Sequence, residues 1–151
     1  MSADAAALER LSRAVAFTSL ALTHLAETLH APDGATAAHR GVLQSVAERG
    51  PSTVPQLARM RPVTRQYMQR TVDELVDRGW LAAEPNPDHR RSPLYALTAE
   101  GGSLLRRIAG RERREIERIG AELDTREVAA AADLLERVYA LLIEPLSGES
   151  P

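Results

Sequence analysis

The chain contains no cysteine. Disulfides, thiolate zinc sites and cysteine-based redox sensing are therefore excluded, and a reducing interior suits it. Lysine is absent too, so all nineteen basic residues are arginine. Arginine favours bidentate contacts with guanine and phosphate. GC-rich coding produces the same bias, so this absence alone decides nothing. Aromatic residues make up only 3%, which leaves leucine, valine and alanine to fill a core. No apolar run approaches the roughly 20 residues that cross a bilayer, and no signal peptide is visible. The chain is expected in the cytoplasm. No Ser/His/Asp grouping, phosphate-cradling glycine loop or dinucleotide fingerprint stands out. An enzyme is not expected, nor is a cofactor.

What remains is ample for one compact unit: 151 residues with 44% hydrophobic content. The net charge of −2 is unevenly spread. Residues 51–95 hold seven arginines against five acids, a balance of +2, whereas residues 96–151 carry −3 and the first fifty carry −1. A local positive balance is what phosphate attraction requires.

The spacing of apolar residues predicts six helices and one hairpin. Leu8, Leu11, Val15, Leu22, Leu25 and Leu29 mark a long first helix, ended by His30-Ala31-Pro32-Asp33-Gly34. Thr36 caps a second helix that stops at Glu48-Arg49-Gly50-Pro51. In the third, Thr53 and Gln56 have capping-box spacing, Pro55 sits in the first turn, and Leu57 and Ala58 face inward. Arg61-Pro62-Val63-Thr64 breaks that helix, and Thr64 caps the next. Thr98 caps a fifth helix. Asp124 and Glu127 cap a sixth, which carries Val128, Leu134, Leu135, Val138, Leu141 and Leu142 and is expected to stop near Pro145. The tail SGESP is expected to fray.

The fourth helix, within VTRQYMQRTVDELVDRGWL (residues 63–81), has two faces. Met68, Thr71, Val72 and Leu75 share one and can pack inward. Gln66, Gln69 and Arg70 share the other, and these side chains can read adenine and guanine edges. Two short helices with a breaker between them are a helix-turn-helix. Gly79 ends the second. Trp80 to Ala83 and Pro93 to Leu97 then read as strands flanking Asn86-Pro87-Asp88-His89-Arg90-Arg91-Ser92, a turn carrying two arginines. The fold expected is mainly α with a small β-hairpin wing: a winged helix-turn-helix with N- and C-terminal dimerisation helices.

Each candidate contact also has a plainer reading. Arg65, Gln66 and Gln69 could form a solvated face, yet beside an arginine wing they read as DNA contacts. Arg70 has Glu74 four residues on, a possible helix pair. Asp73 and Asp77 would repel phosphate and confine reading to the first two turns. Arg90 and Arg91 suit a narrow minor groove. Arg59 and Arg61 suit phosphate contacts, which position rather than specify. Tyr67 lies on the flank, for packing or for phosphate. His24, Glu27 and His30 lie at helical spacing, but one helix face rarely completes a metal site. No metal is expected. His24 or His39 would equally line a ligand cavity.

The first, fifth and sixth helices hold more apolar surface than a small winged helix can cover, which predicts a homodimer. The organisation expected is an N-terminal dimerisation helix over residues 1–34, a DNA-binding domain over 35–97, and C-terminal helices over 98–151 completing the dimerisation region.

From Leu43 to Gly101 the chain resembles the MarR family of bacterial winged-helix regulators. The resemblance rests on LARM before the turn, VTRQYMQRTVDELVDRGWL, the Asn-Pro start of the wing, its paired arginines, and LTAEG opening the next helix. It implies a dimeric, sequence-specific DNA-binding transcriptional regulator, a repressor. Such proteins bind a palindromic operator, and many release it when a small aromatic or phenolic effector binds between the dimerisation and DNA-binding parts. That pocket is expected between the first, second and fifth helices. By position, Thr64, Arg65, Gln66, Gln69 and Arg70 fall where the family's helix contacts DNA, and Arg91 falls at its minor-groove arginine. One departure stands out. The acid that braces the family's wing lies two residues before that arginine, where this chain has His89, and Asp88 lies one residue earlier. This departure and the overall acidity leave an alternative open: a winged-helix protein–protein interaction module without DNA binding.

Overall fold

The computed structural model describes residues 3–61 and 63–147. Among them are six α-helices, a 3-10 turn and one hairpin. The order is α1 (Ala3–His30), the turn Ala31–Asp33, α2 (Ala37–Arg49), α3 (Val54–Arg59), α4 (Arg65–Asp77), β1 (Leu81–Glu84), β2 (Leu94–Leu97), α5 (Ala99–Gly120) and α6 (Thr125–Ser147). Pro62 of the expected breaker and residues 148–151 of the expected frayed tail lie outside the described residues. The chain divides into two compact units, Met1–Glu112 and Arg113–Pro151. No helix among the described residues is long and apolar enough to cross a membrane.

Five helices begin at the caps that sequence predicts, because each cap satisfies backbone N–H groups that a first turn leaves unpaired. Thr36 accepts from the His39 amide, and Thr53 accepts from the Gln56 amide while Gln56 Oε1 accepts from the Thr53 N–H at 2.7 Å. Thr64 and Thr98 accept from the amides of Tyr67 and Gly101. Asp124 Oδ1 accepts from Arg126 and Glu127. Gly79 follows α4 with φ 71°, a left-handed conformation that costs glycine little. One end differs from expectation. The sixth helix runs to Ser147, two residues past the Pro145 near which it was expected to stop.

The core of the first unit is aliphatic, as the shortage of aromatics requires. Val42, Leu43 and Val46 of α2 meet Leu57 of α3, Met68, Val72 and Leu75 of α4, and Leu104 and Ile108 of α5. Each such side chain contributes on the order of 1.5–3 kcal/mol on burial. Trp80 and Tyr95 join them. The hairpin is antiparallel, with Leu81 opposite Leu97 and Ala83 opposite Tyr95. Ser52 adds a one-residue third strand by exchanging both backbone bonds with Tyr95, at 3.1 and 2.9 Å.

The end of α1 is tied into this unit by charge. Asp33 accepts from Arg107 at 3.0 Å and from Arg111, whose Nε also donates to the Leu29 carbonyl at 2.7 Å. Hydrogen bonding from Arg111 above all holds the Asp33 carboxyl below its usual value. The buried His30 donates from Nε2 to Glu112 at 2.9 Å, and Arg40 grips the same carboxylate at 2.8 Å. Burial raises the Glu112 pKa, but the bonds from Arg40 and His30 outweigh it, so the net shift is downward. His30 is thus committed to Glu112 rather than grouped with the exposed His24 and Glu27. Among the described residues no three His, Asp or Glu groups could hold a metal ion together.

In each unit the helices leave large apolar side chains outside. Phe17 and Leu20 of α1 are 73% and 69% exposed, and Tyr139, Leu141 and Leu142 of α6 are similarly open.

Where α5 starts, its backbone lies hard against that of Trp80, the residue before β1. A Cβ at Gly101 would sit 2.1 Å from the Trp80 carbonyl oxygen, so only glycine fits. Gly101→Ala is expected to destabilise the fold by about 1–3 kcal/mol, the usual range for overpacking a rigid contact. Urea unfolding measures this, and an unchanged midpoint would show that the approach is not tight.

Candidate nucleic-acid interface

Helix α4 buries Met68, Thr71, Val72 and Leu75 and leaves Arg65, Gln66, Gln69, Arg70 and Asp73 in solvent. The core thereby fixes which way the opposite face points. Thr64, also exposed, uses its hydroxyl oxygen to cap the helix, at 3.2 Å from the Tyr67 amide. Arg65, Gln66, Gln69, Arg70 and Asp73 together line one open depression along this face. Tyr67 is half exposed on the flank.

The polar side chains of this face are ordered by their neighbours one turn on. Gln69 donates from Nε2 to Asp73 at 2.8 Å. Its second N–H and its Oε1 remain for a partner, the pair that adenine requires. Arg70 donates from Nε to Glu74 at 3.2 Å, the helix pair anticipated from spacing. Glu74 also accepts from His39 of α2 at 3.0 Å. Hydrogen bonding from His39 first, then from Arg70, holds the Glu74 carboxyl below the ordinary range.

Arg59 is exposed on α3, with Nε donating to the Pro55 carbonyl at 3.3 Å. Arg61 lies differently. Its guanidinium rests on Gly41 of α2, where a Cβ would meet it within 2.5 Å, and its Nε is buried with no partner among the described residues. Sequence placed the two arginines alike, because neither Gly41 nor its distance along the chain signals such packing.

The wing carries the contribution that sequence missed. Asn86 is 9% exposed. It donates to the Ser92 carbonyl at 2.8 Å and accepts from the Asp88 amide at 3.1 Å. Ser92 in turn donates its N–H to the His89 carbonyl at 2.9 Å, closing a turn whose two central residues are Arg90 and Arg91. Both arginines are exposed. Asn86, rather than an acid at position 89, braces this loop. The Asn-Pro pair hinted at a turn, but the bond to Ser92 spans six residues and leaves no local signal.

Behind the outward face, a cavity of about 630 Å³ lies between the end of α1, the start of α2 and α4. Glu27, Thr36, His39, Tyr67, Arg70 and Glu74 are among its walls.

Four similarities place these features among known proteins. The MarR family pattern matches residues 33–92. An uncharacterized protein of Mycobacterium tuberculosis is 38% identical over 116 residues, which span 77% of this chain and 80% of that one. Among solved structures, the MarR family transcription regulator SP03579 superposes with a TM-score of 0.86, at 23% identity over 98% of this chain and all of that one, a likeness of fold. A mutant MarR from E. coli complexed with operator DNA superposes with a TM-score of 0.76, at 26% identity over 85% of this chain and 93% of that one.

Replacing Asn86 with alanine removes both of its bonds and leaves the Ser92 carbonyl without its donor. Hydrogen exchange at residues 86–92 is expected to accelerate, with a stability loss of about 1–2 kcal/mol for the unmet group. Unchanged protection of the Asp88 and Ser92 amides would take Asn86 out of the brace.

Proposed function

The chain belongs to the MarR family, whose members are transcription regulators and not enzymes, and from that premise we propose that it is a sequence-specific DNA-binding repressor. It acts as a homodimer on a palindromic operator. Helix α4 enters the major groove of each half-site and the hairpin tip enters the adjoining minor groove. The observation that carries this reading is the exposed Gln66–Gln69–Arg70 face on a helix whose other side is core, beside Arg90 and Arg91 at the centre of a braced turn. Arg65 and Thr64 meet the backbone at the start of α4, where a helix-turn-helix docks. Arg59 holds phosphate from α3. Arg61 does so from the joint, where its guanidinium rests against Gly41 of α2.

The DNA-binding domain is residues 35–97, and dimerisation falls to residues 1–34 and 98–151. The exposed Phe17 and Leu20 of α1, and Tyr139, Leu141 and Leu142 of α6, support this, since a monomer would leave them in water. A small aromatic or phenolic effector enters the cavity beside Tyr67 and His39 and releases the operator. The setting is a bacterial cytoplasm. The alternative, a protein–protein module, drew on the displaced wing acid and on the overall acidity; the Asn86 brace answers the first, and the positive balance of residues 51–95 weighs against the second.

Duplexes selected by the purified chain from random DNA are expected to share a palindrome with half-sites about one helical turn, near 34 Å, apart. On that operator Arg91→Ala is expected to cost about 1–3 kcal/mol, and Arg59→Ala to weaken all duplexes alike and lower the salt slope by about one. A chain that selects no duplex, or binds without salt dependence, would be the interaction module instead. Sedimentation at micromolar concentration is expected to give the mass of two chains. A single-chain mass would leave those apolar faces without an explanation.

A further inference from the structure

A run of hydrogen bonds joins the core to the outward face of α4, and chemistry assigns the donor at each link. The Thr36 N–H donates to His39 Nδ1 at 3.3 Å, closing the capping box of α2. Nδ1 is therefore an acceptor, and the ring proton sits on Nε2. From Nε2, His39 donates to Glu74 Oε2 at 3.0 Å. The other carboxylate oxygen accepts from Arg70 Nε at 3.2 Å. The first member is buried, with His39 at 3% exposure and the Trp80 ring edge-on to it at 5.9 Å. The last is open, with 83% of the Arg70 side chain in solvent.

An ordinary Arg–Glu pair one turn apart on a helix surface is worth only a few tenths of a kcal/mol and leaves both side chains mobile. This pair differs because a buried donor holds the second glutamate oxygen. Glu74 then offers Arg70 a fixed acceptor. Docked through Nε, Arg70 keeps both terminal nitrogens unengaged with the described residues. Two N–H groups presented together match the O6 and N7 acceptors of guanine.

We propose that Glu74, anchored by His39, is a positioning residue: it sets the Arg70 guanidinium in advance and so fixes the base preference at one operator position without touching DNA. This rests on the repressor reading above and adds where its specificity originates. Holding a side chain in its bound geometry reduces the conformational entropy lost on binding, and a wrong base gains nothing from it. His39 has two separable duties here, cap and anchor. The chain itself supplies the means to separate them, because Gln56 closes the box with Thr53 in the same way. Glutamine at position 39 would keep the cap and give up the imidazole that reaches Glu74.

The test uses the full chain and duplexes it selects from random DNA, with each base pair of a half-site substituted in turn. Arg70→Ala identifies the base pair that Arg70 reads. Glu74→Ala is expected to reduce discrimination at that same pair by about tenfold, within the range a bidentate contact supplies, and to leave the other positions unchanged. His39→Gln is expected to lower discrimination there by a smaller factor, about threefold, with an unaltered thermal midpoint. A uniform change across all duplexes in Glu74→Ala would mean lost charge alone and overturns the proposal, as does unchanged discrimination in either variant. Should His39→Gln fail to fold, Glu74→Ala decides by itself. If the wild-type chain selects no duplex, the repressor reading and this proposal both fall. If it selects one and Glu74→Ala acts uniformly, only this proposal falls.

Discussion

Helix α4 must satisfy two environments at once, and the rest of the first unit follows from that requirement. Met68, Val72 and Leu75 are sealed against α2, α3 and α5, which takes away the helix's freedom to rotate about its axis. Close-packed aliphatic cores resist such rotation because every shift opens a void. Gln66, Gln69 and Arg70 are thereby aimed by residues on the far side of the helix. A polar face of this kind on a loosely held helix would present no defined pattern of donors and acceptors.

Electrostatics then divides the outward face along its length. The first two turns carry Arg65, Gln66, Gln69 and Arg70. The acids follow at Asp73, Glu74 and Asp77. Two of these acids hold the very groups that precede them, Asp73 binding Gln69 and Glu74 binding Arg70. Their negative charge is therefore partly spent within the helix instead of acting only against an approaching polyanion. The pairs are exposed and individually weak. Their value is geometric, and at Glu74 it is reinforced from beneath by His39.

Much of this was legible in the chain because the signals are local. Threonine caps, capping boxes and glycine stops mark element ends within a few residues: α1 ends, α2, α3 and α4 begin and end, and α5 begins close to where those signals lie. Helical spacing likewise separated the buried from the exposed face of α4. The rest depends on partners far along the chain. His30 looked like one of three groups on a helix face, but its partner Glu112 is 82 residues away. His39 was visible as a cavity residue and invisible as a cap, since the usual residue at that position of a capping box is Glu or Gln. Asn86 bonds across the wing loop, and the resemblance pointed instead to an acid near Arg91. Arg61 lies on Gly41, a contact that neither residue type announces.

The two backbone bonds between Ser52 and Tyr95 have a consequence of their own. Ser52 stands immediately before α3, and Tyr95 lies in the returning strand of the hairpin. Clasped there, the hairpin and the helix pair make a caliper whose jaws keep one separation. For the repressor proposed above, this means that within a half-site the tool adapts little, and the duplex must bring its two grooves to it, a demand that stiff or unusually twisted tracts meet at different energetic cost. On that same proposal, tolerance for altered operator length would have to come from the joint between the two copies of the proposed dimer.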